Sequence, residues 1–466
     1  MHQGLTMKVT DSQKHLYLQY LAVTLIAVQF SFDTCVYLSS VVQYVKECGS
    51  DDPENYLFIL QAVSAAVQVF FSFIIGDIAG YVGSIKWVII FLYFLSFVGN
   101  FLYSCAGAVS LNTLLGGRII CGAASSSGAV VYSYITAISK DRTTIFKLFS
   151  IYRTSAGICM ALAQLVAILF ALCDFTVRGY RITSYNAPTF ASSFIILLIG
   201  VLLVFVLENP PVKSGRNPKN YLDAWKKFFS AGSNRLIASL ILLWNMFLST
   251  FFMCEVLYFM PIFLTLKVGW KTEYEGVAFM VSAVLGVAGS FFAPDLVKLF
   301  AKLNTPSTQD ETDTSDNDKV EKEESEQKSD VNTLHRNQVS LTIFALFVAL
   351  IGQAFMIGAS EALSNDKLPK TNSGIFFTAG LSITMLGYNF MGSSVPALFS
   401  MYIDPQVKVQ LMPFIGAIAG VGKLVAPIVL AALYKTPLGL PIGVGFGMIL
   451  VGISLPSLIY LRRNKM

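Results

Sequence analysis

The chain has 466 residues, of which 55% are hydrophobic and 13% charged, with a mean hydropathy of +0.63. A water-soluble protein of this length would carry nearer 25% charged residues, so that class is excluded. The net charge of +5 is read by where Lys and Arg lie along the chain and not as a nucleic-acid signal.

Apolar runs of about 20 residues, the length at which a helix crosses a bilayer, recur through the chain. Polar breaks place six spans near 17–44, 56–79, 86–108, 111–138, 145–173 and 187–207, and six more near 236–264, 273–299, 339–361, 374–401, 408–433 and 440–461. The sequence thus predicts an all-α membrane protein of twelve transmembrane helices. Two pseudo-symmetric six-helix bundles, 17–208 and 236–461, flank a basic linker at 209–235. The segment 1–16 precedes a run too long for a signal-peptide core, and no small-residue cleavage site follows it, so the first span is expected to be retained.

Cytoplasmic loops hold an excess of Lys and Arg. The clusters Lys140, Arg142 and Lys147, then Lys213 to Arg235, then Arg462, Arg463 and Lys465 place the N-terminus, the linker and the 462–466 tail in the cytoplasm. In the linker, Asn217 and Pro218 suit the start of a short helix. Tyr221, Leu222, Trp225, Phe228 and Phe229 then repeat at helical spacing, which fits an interfacial helix or one packed on the base of the bundle. Residues 303–338 are polar, acidic and nearly free of apolar side chains, so this cytoplasmic loop is expected to be disordered, as a passive linker or a partner-binding segment. Of the seven cysteines, Cys35, Cys121, Cys159 and Cys254 fall within spans. Cys48, Cys105 and Cys173 lie at the other face, as free thiols or with one bridge among them. No N-glycosylation sequon occurs.

Six plus six helices with a long basic linker resemble the major facilitator superfamily over nearly the whole chain. That family carries a Gly-x-x-x-Asp-(Arg/Lys)-x-Gly turn between helices 2 and 3. Gly76, Gly80, Gly83 and Lys86 match its spacing, but Gly80 stands at the acidic position and Tyr81 at the first basic one. Asp77, three residues earlier, is the candidate gating carboxylate. Helix 4 opens on Gly117, Arg118 and Gly122 as that helix often does, and helix 5 lacks the Gly-Pro pair of antiporter branches, which leaves uniport, symport or a conductance. More locally the chain resembles the lysosomal, ceroid-lipofuscinosis-associated branch represented by major facilitator superfamily domain-containing protein eight. The resemblance lies in Gly117-Arg118 with Val130 to Tyr134, Tyr185 to Pro188, Glu255 before Pro261, Gly387-Tyr388 with Leu398 to Tyr402, and Gly422-Lys423 before Pro427. That branch more often has Arg where Lys423 stands, and Arg where Tyr132 stands. Lysosomal or endosomal placement and anion-related transport are what this resemblance implies.

The chemistry is expected at ionisable residues inside spans, each costing about 2.5–3.5 kcal/mol at a helix centre. Asp33 in helix 1 and Glu255 in helix 7 are matching carboxylates, and Arg153 in helix 5 and Lys423 in helix 11 are matching cations, if each half is one copy of a repeat. At about 1.5 Å per residue, Asp33, Glu255 and Lys423 lie roughly 24, 28 and 22 Å from the cytoplasmic helix ends, and Arg153 roughly 12 Å, the depth of a cytoplasmic gate. Arg118, Gln29, Gln61, Gln68, Tyr388 and Asn389 complete the candidate lining. Glu255 and Lys423 read either as a structural ion pair or as the proton and anion sites. Gly416, Gly420, Gly439, Gly443 and Gly447 read as packing contacts.

The three histidines, His2, His15 and His335, lie outside the predicted spans, and no phosphate-cradling loop is present. No enzyme activity, metal or cofactor is expected, nor a nucleic-acid partner. A monomer in the bilayer, acting on a small solute or ion, is expected. The function expected is secondary active or facilitative transport of a small, anionic solute by alternating access, or else passive anion conductance, or a transporter-like scaffold.

Overall fold

The computed structural model describes residues 2–139, 141–170, 172–177, 179–210, 225–230, 232–304, 319–365, 367–404, 407–433 and 453–463. Of 2–15, 255–256, 266, 272, 304 and 319–330 it describes the backbone alone. The first half comprises α1 (His2–Cys35), α2 (Val41–Glu47), α3 (Pro53–Val82), α4 (Ile85–Ser104), α5 (Ala106–Val109), α6 (Leu111–Ala124), α7 (Ser127–Ile138), α8 (Arg142–Leu169) and α9 (Ala187–Val206). An antiparallel hairpin, β1 (Asp174–Val177) and β2 (Tyr180–Thr183), joins α8 to α9. A short linker helix, α10 (225–229), leads to the second half. That half comprises α11 (Ser233–Pro261) with its π-helical extension Ile262–Val268, α12 (Thr272–Asn304), α13 (Lys319–Ser364), α14 (Lys370–Tyr402), α15 (Lys408–Leu433) and α16 (453–463).

Among the described residues, eleven helical spans are long and apolar enough to cross a membrane, counting α6 and α7 together. The helix at 453–463 stands where the twelfth is expected. Successive spans alternate in direction, so the linker and the α7–α8 and α14–α15 turns share one face, the linker face. The hairpin, α2 and the α13–α14 turn share the opposite face.

Side-chain caps start the helices where the chain re-enters the apolar layer. Asp52 Oδ1 accepts from the Asn55 amide at 3.3 Å ahead of Pro53, and Ser84 Oγ accepts from the Trp87 amide at 3.3 Å. Ser110 Oγ accepts from the Thr113 amide at 3.3 Å, and Asp141 Oδ2 from the Thr144 amide at 2.7 Å. Each satisfies a backbone donor that the helix itself leaves open.

Three segments differ from the sequence expectation. The first span, expected over 17–44, ends as a helix at Cys35 and resumes at Val41; the Cys35 carbonyl this releases accepts from Gln164 Nε2 of α8. The fourth span breaks at Ser125 and Ser126, whose hydroxyls donate to the Cys121 and Ala123 carbonyls and compete with the backbone ladder. Gln29 and Gln68 then donate to the Ala124 and Ser125 carbonyls at 3.0 and 3.3 Å. The third difference lies in the acidic stretch 303–338. There α12 runs to Asn304 and α13 begins at Lys319, so helix covers part of the expected loop, while residues 305–318 lie outside the described residues. Glu, Lys and Gln dominate 319–328 and favour helix once α13 supplies a nucleus.

The hairpin was not anticipated. Its strands pair Asp174 with Thr183 and Val177 with Tyr180 about a turn in which Gly179 adopts φ +85°. All seven cysteines are free thiols. The alternation of spans predicts that cysteines introduced at Ser230 and at Thr176, in a protein with Cys48, Cys105 and Cys173 replaced by Ser, react with a membrane-impermeant maleimide from opposite sides. Labelling of both from one side would break the span order between them.

Candidate functional site

Gln29, Asp33 and Tyr37 recur every four residues along and just beyond α1, so they follow one another on one face. The two Asp33 carboxylate oxygens accept from Ser96 Oγ at 2.6 and 2.8 Å, and the group also accepts from Asn100 Nδ2 of α4 and from Gln29 Nε2 at 3.4 Å. Arg118 of α6 donates to the Asp33 main-chain carbonyl at 3.1 Å and to the Tyr37 hydroxyl at 2.8 Å, with its Cζ 4.0 Å from the Tyr37 ring centroid. Gln61 of α3 also donates to the Tyr37 hydroxyl, at 2.6 Å. The break after Cys35 is what leaves the Asp33 carbonyl free to take the guanidinium. All of these side chains are buried, so neutral donors satisfy the carboxylate in a site that water does not reach.

The two halves meet in layers that begin at the linker face. Trp225 of α10 seats edge-on against Phe414 of α15 with ring centroids 4.8 Å apart, and Phe414 in turn meets Phe73 of α3 at 5.6 Å. The linker helix thus packs on the seam between halves, as one of the two sequence readings has it; residues 217–224 lie outside the described residues. Next, a Cβ on Gly76 would lie 3.1 Å from the Gln410 carbonyl oxygen, and Ser133 Oγ of α7 donates to the Val409 carbonyl at 2.7 Å. One layer deeper, α15 passes α7 so closely that a Cβ on Gly416 would come within 2.5 Å of Ala129 Cβ. The linker face is closed.

Arg153 adds a polar link between the halves. From α8 its NH1 donates to the Tyr388 hydroxyl at 2.6 Å and its Nε to the Gly392 carbonyl at 3.3 Å, both on α14 in the other half. Its NH2 donates to the Tyr132 hydroxyl of α7 at 2.9 Å. Gly392 has no side chain because the guanidinium occupies its place: a Cβ there would lie 2.7 Å from Arg153 Nε. Further towards the opposite face, Lys423 of α15 points its ammonium at Phe30 of α1, 4.2 Å from the ring centroid. Among the described residues, Lys423 has no carboxylate within 4 Å and no hydrogen-bond partner, and it is 5% exposed.

The structure thus groups the sequence candidates into two sets. Gln29, Asp33, Gln61 and Arg118 form the cluster inside the first half, while Arg153, Tyr388 and Lys423 lie where the halves face one another. Asn389 belongs to neither, since it accepts from Ser290 of α12 at 3.3 Å and donates to the Met385 carbonyl, tying α12 to α14. The side chain of Glu255 lies outside the described residues, as do Gly439, Gly443 and Gly447. Of the motif between the second and third spans, Gly76 meets α15 and Gly83 ends α3 at φ +70°. Gly80 has open space around it, and Lys86 Nζ lies 6.0 Å from the Trp87 ring centroid. Among the described residues no Lys or Arg comes within 4 Å of the Asp77 carboxylate, so the gating ion pair of the family pattern is not formed there.

Sequence reasoning missed several partners. Ser96 and Asn100, spaced as i and i+4 on α4, carried the signal of a polar face in an otherwise apolar span. Tyr37 and Tyr132 are apolar by composition and act here through their hydroxyls. Glu275, which reads as an ordinary acidic residue in a first helical turn, is 1% exposed; its Oε2 accepts from Thr265 Oγ1 at 2.7 Å, and its Oε1 has no partner among the described residues.

Two halves of membrane helices that close on one face around buried charged side chains are the build of a solute carrier. The sequence model of the Major Facilitator Superfamily matches residues 23–307, and the chain belongs to that superfamily, whose members bind small-molecule substrates within the membrane. It is 98% identical over 460 residues, 99% of this chain and 100% of the relative, to the MFS-type transporter PUL3 of Kluyveromyces lactis. It is 60% identical over 331 residues, 71% of this chain and 99% of the relative, to the uncharacterized membrane protein YNR062C of Saccharomyces cerevisiae. In fold it resembles a bacterial homolog of the human lysosomal transporter Spinster, solved in an inward-facing and occupied conformation. The TM-score is 0.62 at 13% identity, over 95% of this chain and 96% of that one. It also resembles the human organic anion transporter MFSD10, with a TM-score of 0.62 at 12% identity over 96% of this chain and 99% of that one. These matches establish the superfamily and the fold without singling out the lysosomal branch.

Proposed function

We propose that the protein carries a small anionic solute across the membrane by alternating access, as a secondary active or facilitative transporter. The observation that carries this reading is the charge of the seam. Arg153 and Lys423 are buried where the halves meet, and no carboxylate among the described residues lies within 4 Å of either. A buried cation without a counter-ion is costly, and an incoming anion relieves that cost. In this reading Lys423 and Arg153 meet the solute, Arg118, Asp33, Gln29 and Gln61 hold the first half in shape beside it, and Tyr388 contributes its hydroxyl. Glu255 is the proposed proton carrier. Gly76, Asp77, Gly80, Gly83 and Lys86 form the flexible turn that lets the linker face open.

Counterflow in proteoliposomes tests the proposal. An internal load of the solute is expected to raise the initial rate of labelled uptake severalfold. Ohmic current with no stimulation from the trans side would replace the carrier by a conductance, and neither signal would leave a scaffold. The resemblance to the lysosomal branch further implies an endolysosomal membrane; a fluorescent fusion confined to the plasma membrane would contradict that placement.

A further inference from the structure

We infer that Arg153 is an exchangeable latch: an anionic group of the solute takes the place of the Tyr388 hydroxyl and the Gly392 carbonyl on the guanidinium, and that exchange releases the linker face. The inference rests on the anionic-solute reading and adds to it the step that couples binding to opening.

Three features of the geometry carry it. First, the guanidinium links the halves directly, since two of its three hydrogen bonds, to Tyr388 and Gly392, cross from α8 to α14. Second, all three of its acceptors are neutral: two phenol hydroxyls and one main-chain carbonyl. A carboxylate or phosphate oxygen makes a charge-assisted hydrogen bond with guanidinium, roughly twice as strong as a neutral one, and can engage two N–H groups at once. An anion arriving beside Arg153 therefore outcompetes the acceptors that hold the latch, whereas an ion-paired arginine would resist exchange. Third, the contact to Tyr132 lies within the first half, so the guanidinium stays anchored to α7 while its bonds to α14 are given up. The next cation towards the opposite face is Lys423, which gives an anion from that side a first stop before it reaches Arg153. A solute can only shift an equilibrium by binding its two states differently, and the exchange supplies that difference.

The experiment uses the full-length protein in detergent, with cysteines at Ser133 and Val409, which touch when the linker face is closed. Their oxidative crosslinking reports closure. Without any ligand, Tyr388→Phe is expected to lower the crosslinking rate at least threefold, because one of the two bonds from Arg153 to α14 is gone. Tyr132→Phe, which removes a bond inside one half, is expected to leave it unchanged, and both variants are expected to stay monodisperse with thermal midpoints near that of the parent. Wild-type crosslinking in Tyr388→Phe overturns the latch whatever the solute is. Phosphate, citrate and benzoate, with benzamide as the neutral counterpart of benzoate, then test the exchange. At least one anion is expected to lower crosslinking in the Tyr388 protein and to have a much smaller effect in Tyr388→Phe. If no anion alters crosslinking at tens of millimolar although one of them shows counterflow, the latch is wrong and the transport reading stands. If benzamide acts as well as benzoate, charge is not what releases the seam, and both fall.

Discussion

Replacing Arg118 with Met is expected to lower the thermal midpoint of the purified protein by about 5 °C or more, whether or not a ligand is present. The guanidinium donates to the Asp33 carbonyl and the Tyr37 hydroxyl and lies over the Tyr37 ring, all inside the first half. Hydrogen bonds from a charged donor contribute roughly 1.5–3 kcal/mol each, and their loss leaves the Asp33 carbonyl short of a donor in a buried site and the Tyr37 hydroxyl with Gln61 alone. The Asp33 carboxylate then keeps its neutral donors Ser96, Asn100 and Gln29 but loses the nearby positive charge. Arg118→Lys should recover less than half of the loss, since an ammonium cannot fork between two acceptors or stack on a ring as a guanidinium does. A midpoint within 1 °C of the parent in Arg118→Met would mean that the cluster contributes nothing to folding and that Arg118 is held for another purpose.

The contrast between Arg118 and the other two cations was only half legible in the sequence. Hydropathy gave the spans and their order because a bilayer requires about 20 apolar residues per crossing, and the arrangement of two six-helix halves follows from that requirement. Charged residues inside spans stood out for the same reason, so Asp33, Arg118, Arg153 and Lys423 were all found. Their partners were not, because hydrogen bonds between helices depend on rotation about each helix axis, which a hydropathy profile does not carry. Arg153 reaches across to Gly392, 239 residues away, and only the close passage of α8 and α14 brings them together. Its sequence depth, shallower than that of Asp33, Glu255 and Lys423, reads as the depth of a gate. The breaks at Cys35 and at Ser125–Ser126 were hidden for another reason: both fall inside long apolar runs, and the signals were a serine triplet and three glutamines on other helices, Gln29, Gln68 and Gln164, that donate to the carbonyls at the breaks. The resemblance to the superfamily proved sound at the level of fold. Its turn motif did not transfer intact, since Gly80 replaces the acid and Asp77 meets no cation among the described residues.

Lys423→Met is expected to do the reverse of Arg118→Met, leaving the protein folded while transport falls about 10- to 100-fold. The folded state should tolerate the change because the described surroundings of the ammonium contain no hydrogen bond and no ion pair to lose, only the face of Phe30. Met has similar length, and its thioether makes a favourable contact with an aromatic ring, so the packing against α1 is retained. The solute, on the other hand, loses a charge-assisted contact worth roughly 1.5–3 kcal/mol, which converts to about one to two powers of ten in affinity. Lys423→Arg keeps the charge, and it should retain transport with altered affinity. The opposing possibility is that Lys423 is a strut paired with Glu255, whose side chain lies outside the described residues. In that case Lys423→Met strands a buried carboxylate and Glu255→Gln a buried ammonium, each change lowers the midpoint by several degrees, and the double change restores it. A folded single variant with lost transport assigns Lys423 to the solute. A destabilised single variant rescued by Glu255→Gln, with normal transport in the double, assigns the pair to the fold and leaves Arg153 as the cation that meets the anion.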